Sequence, residues 1–211
     1  MEKKEAQYLT VTPRGALFAT STTEESKTKE VLMKLLNMKV SPKLTQESLL
    51  ELTELHDEKL AEAVLYQLQV RHFVQAESEP VGVPDINIHK ELPTLLRLLS
   101  SSGKTLLIDS NGFQISSTGF APEDIEQLAV VSSEFSTIFS TYKNFLSQSL
   151  NKEYAATAVV NNQGISKLGF VMLDVSGVVF TLTIGDTPFL NQRTFRDIVW
   201  LLTYRYGNSV V

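Results

Sequence analysis

Lys104-Thr-Leu-Leu-Ile-Asp-Ser-Asn-Gly-Phe-Gln-Ile-Ser-Ser-Thr-Gly119 is the stretch on which the reading of this chain turns. Leu106, Leu107 and Ile108 form a short apolar run of the kind that makes a buried strand. Asp109-Ser110-Asn111-Gly112 then interrupts it, and Phe113 and Ile115 resume an alternating pattern. Asn-Gly suits a tight hairpin turn, because Gly has no Cβ to clash at positive φ and Asn tolerates that region. Asp109 is placed to organise the turn with its carboxylate. Pro122-Glu123-Asp124 follows almost at once, and proline with acids suits the positive N-terminal end of a helix.

That helix is expected over 122–148. Ile125, Leu128, Phe135, Ile138, Phe139, Tyr142, Phe145 and Leu146 recur along it at steps of three and four, with Ser132, Ser133, Ser136, Ser140 and Thr141 between them. At 1.5 Å per residue such a helix is about 40 Å long, more than a small sheet can cover. Phe135, Phe139 and Tyr142 share one face, while Ile138 and Phe145 turn toward another. A helix apolar on two faces has two neighbours: its own sheet, and a dimer mate or partner protein.

The remaining C-terminal elements are legible in order. A helix over 89–101 presents Leu92, Leu95, Leu96, Leu98 and Leu99, with Pro93 tolerated in its first turn. Strands are expected at 154–161, 165–174 and 178–184, with turns at Asn162-Gln163-Gly164 and Val175-Ser176-Gly177. A last helix over 191–206 aligns Phe195, Ile198, Val199, Leu202 and Tyr206. The fold class is therefore α+β, in the order α-β-β-α-β-β-β-α, with a hairpin and a three-strand meander sharing one antiparallel sheet.

Ahead of this lies a mostly helical region, separated by Glu77-Ser78-Glu79-Pro80-Val81-Gly82-Val83-Pro84, whose prolines and glycine suit an extended connector. The boundaries are a module over 1–79, a linker over 80–85 and a second domain over 86–211. Helices are expected at 23–37, capped by Thr22 or Thr23, from Thr45 through Leu55, and after Asp57 through Leu68. Tyr8 to Ala19 reads as a strand pair turning at Pro13-Arg14-Gly15, and Phe73 to Ala76 as extended.

Composition narrows the function. The 211 residues carry 19 Lys/Arg against 24 Asp/Glu, a net charge of −5, split evenly between the two regions. No global basic field draws nucleic acid or anionic lipid. The absence of cysteine removes disulfides, thiolate metal sites and a Cys nucleophile, and fits a reducing compartment. The N-terminus lacks the apolar core of a signal peptide, and the apolar stretch around 168–184 is broken by Asp174, Ser176 and Gly177. A cytoplasmic protein without a membrane span is expected. His56, His72 and His89 have no metal-ligand partner at helical or hairpin spacing, so no metal and no cofactor are expected. No Gly-x-Ser-x-Gly elbow and no assembled acid–base set exists, which argues against an enzyme.

Leu106-Leu-Ile-Asp-Ser-Asn-Gly-Phe-Gln-Ile-Ser-Ser-Thr-Gly119, followed by a helix of small and apolar residues within this element order, resembles the roadblock (dynein light chain) family over about 120 residues. The family's fold is profilin-like. The N-terminal Leu9-Thr-Val-Thr-Pro-Arg-Gly-Ala-Leu17 ahead of Val31-Leu-Met-Lys-Leu-Leu-Asn37 resembles small bacterial winged-helix modules. The roadblock resemblance implies a homodimer or paralogous heterodimer, with long helices packed together and the following strand paired with its mate. Carried over, the interface would use Phe135, Phe139, Tyr142 and Phe145 on the helix and Tyr154, Ala156 and Ala158 on the strand. In bacteria and archaea, similar proteins act beside small Ras-like GTPases as activators or scaffolds. This chain has no GxxxxGK[ST] phosphate loop of its own.

The expectation is thus a non-catalytic dimeric regulator or scaffold, with two alternatives. One is a DNA-binding regulator dimerised by its C-terminal domain, against which the acids Asp57, Glu58 and Glu62 of the third helix speak. The other is a small-ligand sensor, which needs a cavity between sheet and helix. Arg193, Arg196 and Arg205 are read as solvent-facing residues of the last helix.

Overall fold

A computed structural model describes residues 6–21, 25–84, 88–150 and 155–207. In chain order the elements are β1 (Tyr8–Val11), α1 (Pro13–Ser21), α2 (Lys27–Asn37), α3 (Gln46–Thr53), α4 (Glu58–Val70), β2 (Val74–Glu77), α5 (Ile88–Arg97), β3 (Thr105–Ile108), β4 (Gln114–Thr118), α6 (Pro122–Leu150), β5 (Ala156–Val160), β6 (Ser166–Val175), β7 (Val178–Gly185) and α7 (Arg193–Tyr206). From α5 onward this is the order α-β-β-α-β-β-β-α. The five C-terminal strands form one antiparallel sheet in the spatial order β4-β3-β7-β6-β5, which leaves β4 and β5 at its edges.

The first departure from expectation lies at Pro13. Residues 13–21 form a helix rather than the return strand of a hairpin. Proline at the first helical position has no N–H to waste there. Thr12 caps the end, with its carbonyl accepting from Ala16 N at 2.9 Å and its Oγ1 accepting from Gly15 N at 3.1 Å. Gly15 is needed for a second reason: a Cβ there would lie 2.1 Å from the Phe73 carbonyl oxygen, so α1 could not dock against the end of α4. β1 pairs instead with β2, and no hairpin follows α4 among the described residues. The other N-terminal helices start as their capping residues dictate. Thr45 and Ser48 form a capping box at α3, and the Asp57 carboxylate accepts from Lys59 N and Leu60 N at α4. Ser26 caps α2; Thr22 and Thr23 lie outside the described residues.

Alternation along each strand divides the sheet into two faces. Leu107, Val171, Leu173, Val175, Phe180, Leu182 and Ile184 point to the back, where α1, α2, α5 and α7 close over them in one apolar core. That core joins Leu32, Leu36 and Leu68 of the N-terminal module to Phe195, Ile198 and Leu202 of α7. Trp200, 3 % exposed, donates its indole N–H to the Met38 carbonyl at 2.8 Å. The connector at 80–84 is pinned as well: Ser41 N donates to Val81 O at 2.7 Å and Val83 N to Lys39 O at 2.9 Å.

Two details of the last domain differ from expectation. α5 begins at Ile88, which puts Pro93 beyond the first turn, and it ends at Arg97, where Leu98 N and Leu99 N close tighter turns onto Leu95 O and Leu96 O. Arg196 is buried, at 2 % exposure, instead of facing solvent. Its guanidinium donates to Asp197 Oδ1 at 2.9 and 2.5 Å and lies 5.8 Å from the Trp200 ring centroid, so the charge is compensated inside the back layer.

Candidate interaction surface

Among the described residues α6 alone covers the front of the sheet. It crosses β3, β7 and β6 and touches them through two small apolar clusters. One joins Leu106, Ile108 and Ala129, with Phe120, Ile125 and Leu128 around them. The other joins Phe139, Phe170 and Met172, with Phe135 and Leu168 against them. The Phe135 and Phe170 rings stack at 4.5 Å.

Between the clusters the contact is polar. β7 presents Thr181 and Thr183 to the helix, and Ser132 Oγ meets Thr183 Oγ1 at 2.6 Å while donating to Leu128 O at 2.5 Å. Beside this contact lies an open cleft of about 290 Å³ lined by Asp109, Ser110, Ser133, Ser136, Thr137, Ser140 and Thr141, with Val179 and Thr181. The Asp109 carboxylate has a structural task there. Its Oδ1 accepts from Asn111 N and Phe113 N, both at 2.9 Å, and Gly112 takes φ +79°. Of the Asn-Gly pair only the glycine adopts positive φ, so the turn is longer than a two-residue hairpin.

The expected interface residues separate into two groups. Phe139 is 4 % exposed and Phe135 is partly buried, so both belong to the helix's contact with its own sheet. Tyr142 and Phe145 face outward, 55 % and 64 % exposed. The expectation that Phe135, Phe139 and Tyr142 share a face is corrected here, because Tyr142 leaves the face that the two phenylalanines occupy. The outward stripe is completed by Val131 and Ile138, which with Phe145 recur every seven residues. That spacing was available in the sequence but was masked by the larger aromatics beside it.

β5 lies at one edge of the sheet, paired among the described residues only with β6. Ala156 and Ala158 are exposed, and Val159 and Val160 extend the apolar surface. Tyr154 lies outside the described residues. Lys143 of α6 donates its ammonium to the Ser21 carbonyl at the end of α1. That carbonyl carries the partial negative charge of a helix C-terminus, in a helix without a basic residue in its own last turn.

Among the described residues no group of three or more His, Asp or Glu side chains is placed to hold a metal ion. No helix of the described residues is long and apolar enough to cross a membrane. Among the described residues two carboxylates are shifted, both on exposed ion pairs. Lys34, 2.7 Å from Glu54, holds that carboxyl below its usual range, and Lys167, 3.0 Å from Asp186, does the same there with help from Ser102.

No known protein-family pattern matches the chain, and no curated protein matches it in sequence. Among solved structures it aligns with Myxococcus xanthus MglB at 18 % identity and a TM-score of 0.34, over 60 % of this chain and 97 % of that one.

Proposed function

We propose that this protein is a non-catalytic dimeric regulator or scaffold that works beside a small Ras-like GTPase. Two observations carry the dimer: an outward apolar stripe on α6 (Val131, Ile138, Tyr142, Phe145) and the open edge of β5. An exposed edge strand is a standing invitation to uncontrolled pairing, and a two-fold mate removes it. The GTPase is supported by the roadblock-like element order and hairpin alone, and by no residue of the site, since fold does not fix function.

Sedimentation of the wild-type chain beside Phe145→Glu tests the dimer. The expected result is a wild-type dimer and a folded variant monomer, because a charge in the centre of an apolar interface costs several kcal/mol, on the order of 3–5, when unpaired. A wild-type monomer throughout the micromolar range would overturn the reading.

A further inference from the structure

One stretch of this protein carries acids with no basic residue among them. Between Lys104 and Lys143 there is no Lys, Arg or His, while Asp109, Glu123, Asp124, Glu126 and Glu134 supply five carboxylates. The rest of the chain carries 19 residues of each sign and is neutral. This stretch is the β3–β4 hairpin and most of α6.

At its centre is an open cleft of about 460 Å³ between the hairpin tip and the first turns of α6. Phe113, Pro122, Ile125 and Ala129 provide its apolar surface, with Glu126 at the rim. Phe113 is 70 % exposed. Its backbone is fixed, with its N–H donated to Asp109 Oδ1 and its carbonyl accepting from Asp109 N at 3.0 Å. The side chain takes no part in the turn. It is a large ring held out on a rigid mount, where a polar residue would serve the hairpin equally well.

We infer that this cleft is the docking site for a partner protein segment that carries an apolar side chain flanked by lysines or arginines. The inference rests on the reading above for the existence of a partner, and it gives that partner its chemistry. The cleft supplies the apolar seat, and the carboxylates supply attraction and orientation. Glu123 and Asp124 also complement the α6 dipole. Glu126 and Glu134 lie past the first turn, so the helix end does not account for them; Asp109 is engaged in the hairpin turn and adds only its charge. A second copy of this chain is the weaker occupant, because the same five carboxylates would face each other across a two-fold axis. The cleft also sits at the β3–β4 side of the sheet, away from β5.

The test titrates the isotope-labelled full chain with two short amphipathic peptides, one with a Leu-Phe centre flanked by lysines and one with glutamates in their place. The lysine peptide is expected to shift the amides of 112–114 and 122–129, and the glutamate peptide to leave them unmoved. Phe113→Ser and Glu126→Lys are each expected to weaken the lysine peptide by about tenfold or more, and salt near 0.5 M to weaken it further as charges are screened. Both positions are exposed, so a thermal melt should show each variant folded like the wild type.

Three results would overturn the inference: no binding of the lysine peptide, equal binding of both peptides, or shifts confined to 131–160. Sedimentation of Phe113→Ser in the same buffer keeps the two readings apart. A loss of mass would make the cleft a contact between copies and sink this inference. A wild-type monomer that still binds the lysine peptide at 112–129 would sink the dimer and leave the cleft standing.

Discussion

The two faces of the C-terminal sheet are built to different standards. The back is closed by four helices from both modules over one continuous apolar core, with even its buried Arg196 matched by Asp197. The front is covered by a single helix that rests on two separate apolar clusters with a seam of hydroxyls between them. Burial stabilises roughly in proportion to apolar area, so the back holds the fold together. The front keeps α6 in place with less, and leaves the outer side of the helix apolar. The proposed interface rests on this contrast: four helices close one side of the sheet, and the helix on the other side keeps an apolar outer face.

Core truncations on the two faces should separate most strongly. Phe195→Ala removes a fully buried ring from the back and is expected to cost about 3–5 kcal/mol. Because the core runs through both modules, urea should unfold them in one transition, reported by Trp200, the chain's sole tryptophan. Phe139→Ala on the front should cost less, about 2–3 kcal/mol, at the low end for such truncations. Its faster amide exchange should be confined to α6 and the strands beneath it, with Trp200 emission unchanged. Loss of the N-terminal module's structure in Phe139→Ala at a denaturant concentration where β6 and β7 persist would break the comparison.

The same asymmetry governs what could be read from the sequence. Helices with clean capping residues, such as Thr45 and Asp57, and strands bounded by Gly turns were legible because their signals are local. α1 was not, because Thr-Pro-Arg-Gly is compatible with both a turn and a capped helix start. Only the approach of Gly15 to Phe73, far along the chain, decides between them. The buried state of Arg196 was hidden as well: it lies over Trp200, whose indole N–H reaches the Met38 carbonyl far along the chain. On α6 the sequence showed that two faces were apolar. It misassigned Tyr142 because serines and threonines on the inner face face threonines of β7, a pairing that hydrophobic periodicity cannot detect.

That hydroxyl seam gives a finer test of the front. Thr183→Val should cost about 1–2 kcal/mol, since Ser132 loses a buried partner at 2.6 Å but keeps the Leu128 carbonyl. Ser132→Ala with Thr183→Val should cost less than the two single changes added together, because no hydroxyl is then left unpaired. Chemical denaturation of the four proteins in the cycle measures the coupling. Additive costs would mean that the hydroxyls merely fill space, and that the front is held by its apolar clusters alone.

Acid should distinguish the faces least of all. Glu54 belongs to the N-terminal module and Asp186 to the rim of the sheet, and each carboxyl is held below its ordinary value, 4.5 and 3.8, chiefly by hydrogen bonding to its lysine partner. A carboxyl depressed in the folded state contributes stability above its unfolded pKa and loses it as pH falls through the folded pKa. Stability should therefore be level from neutral pH to about 5 and then decline modestly toward pH 3, since both groups are exposed and water screens them. Lys34→Met and Lys167→Met should each remove part of that decline, which urea midpoints at pH 7 and pH 3 would show. A steep loss confined to α6, seen by amide exchange near pH 4, would instead place a titrating contact under the front helix. The difference between the faces would then be electrostatic as well as one of packing.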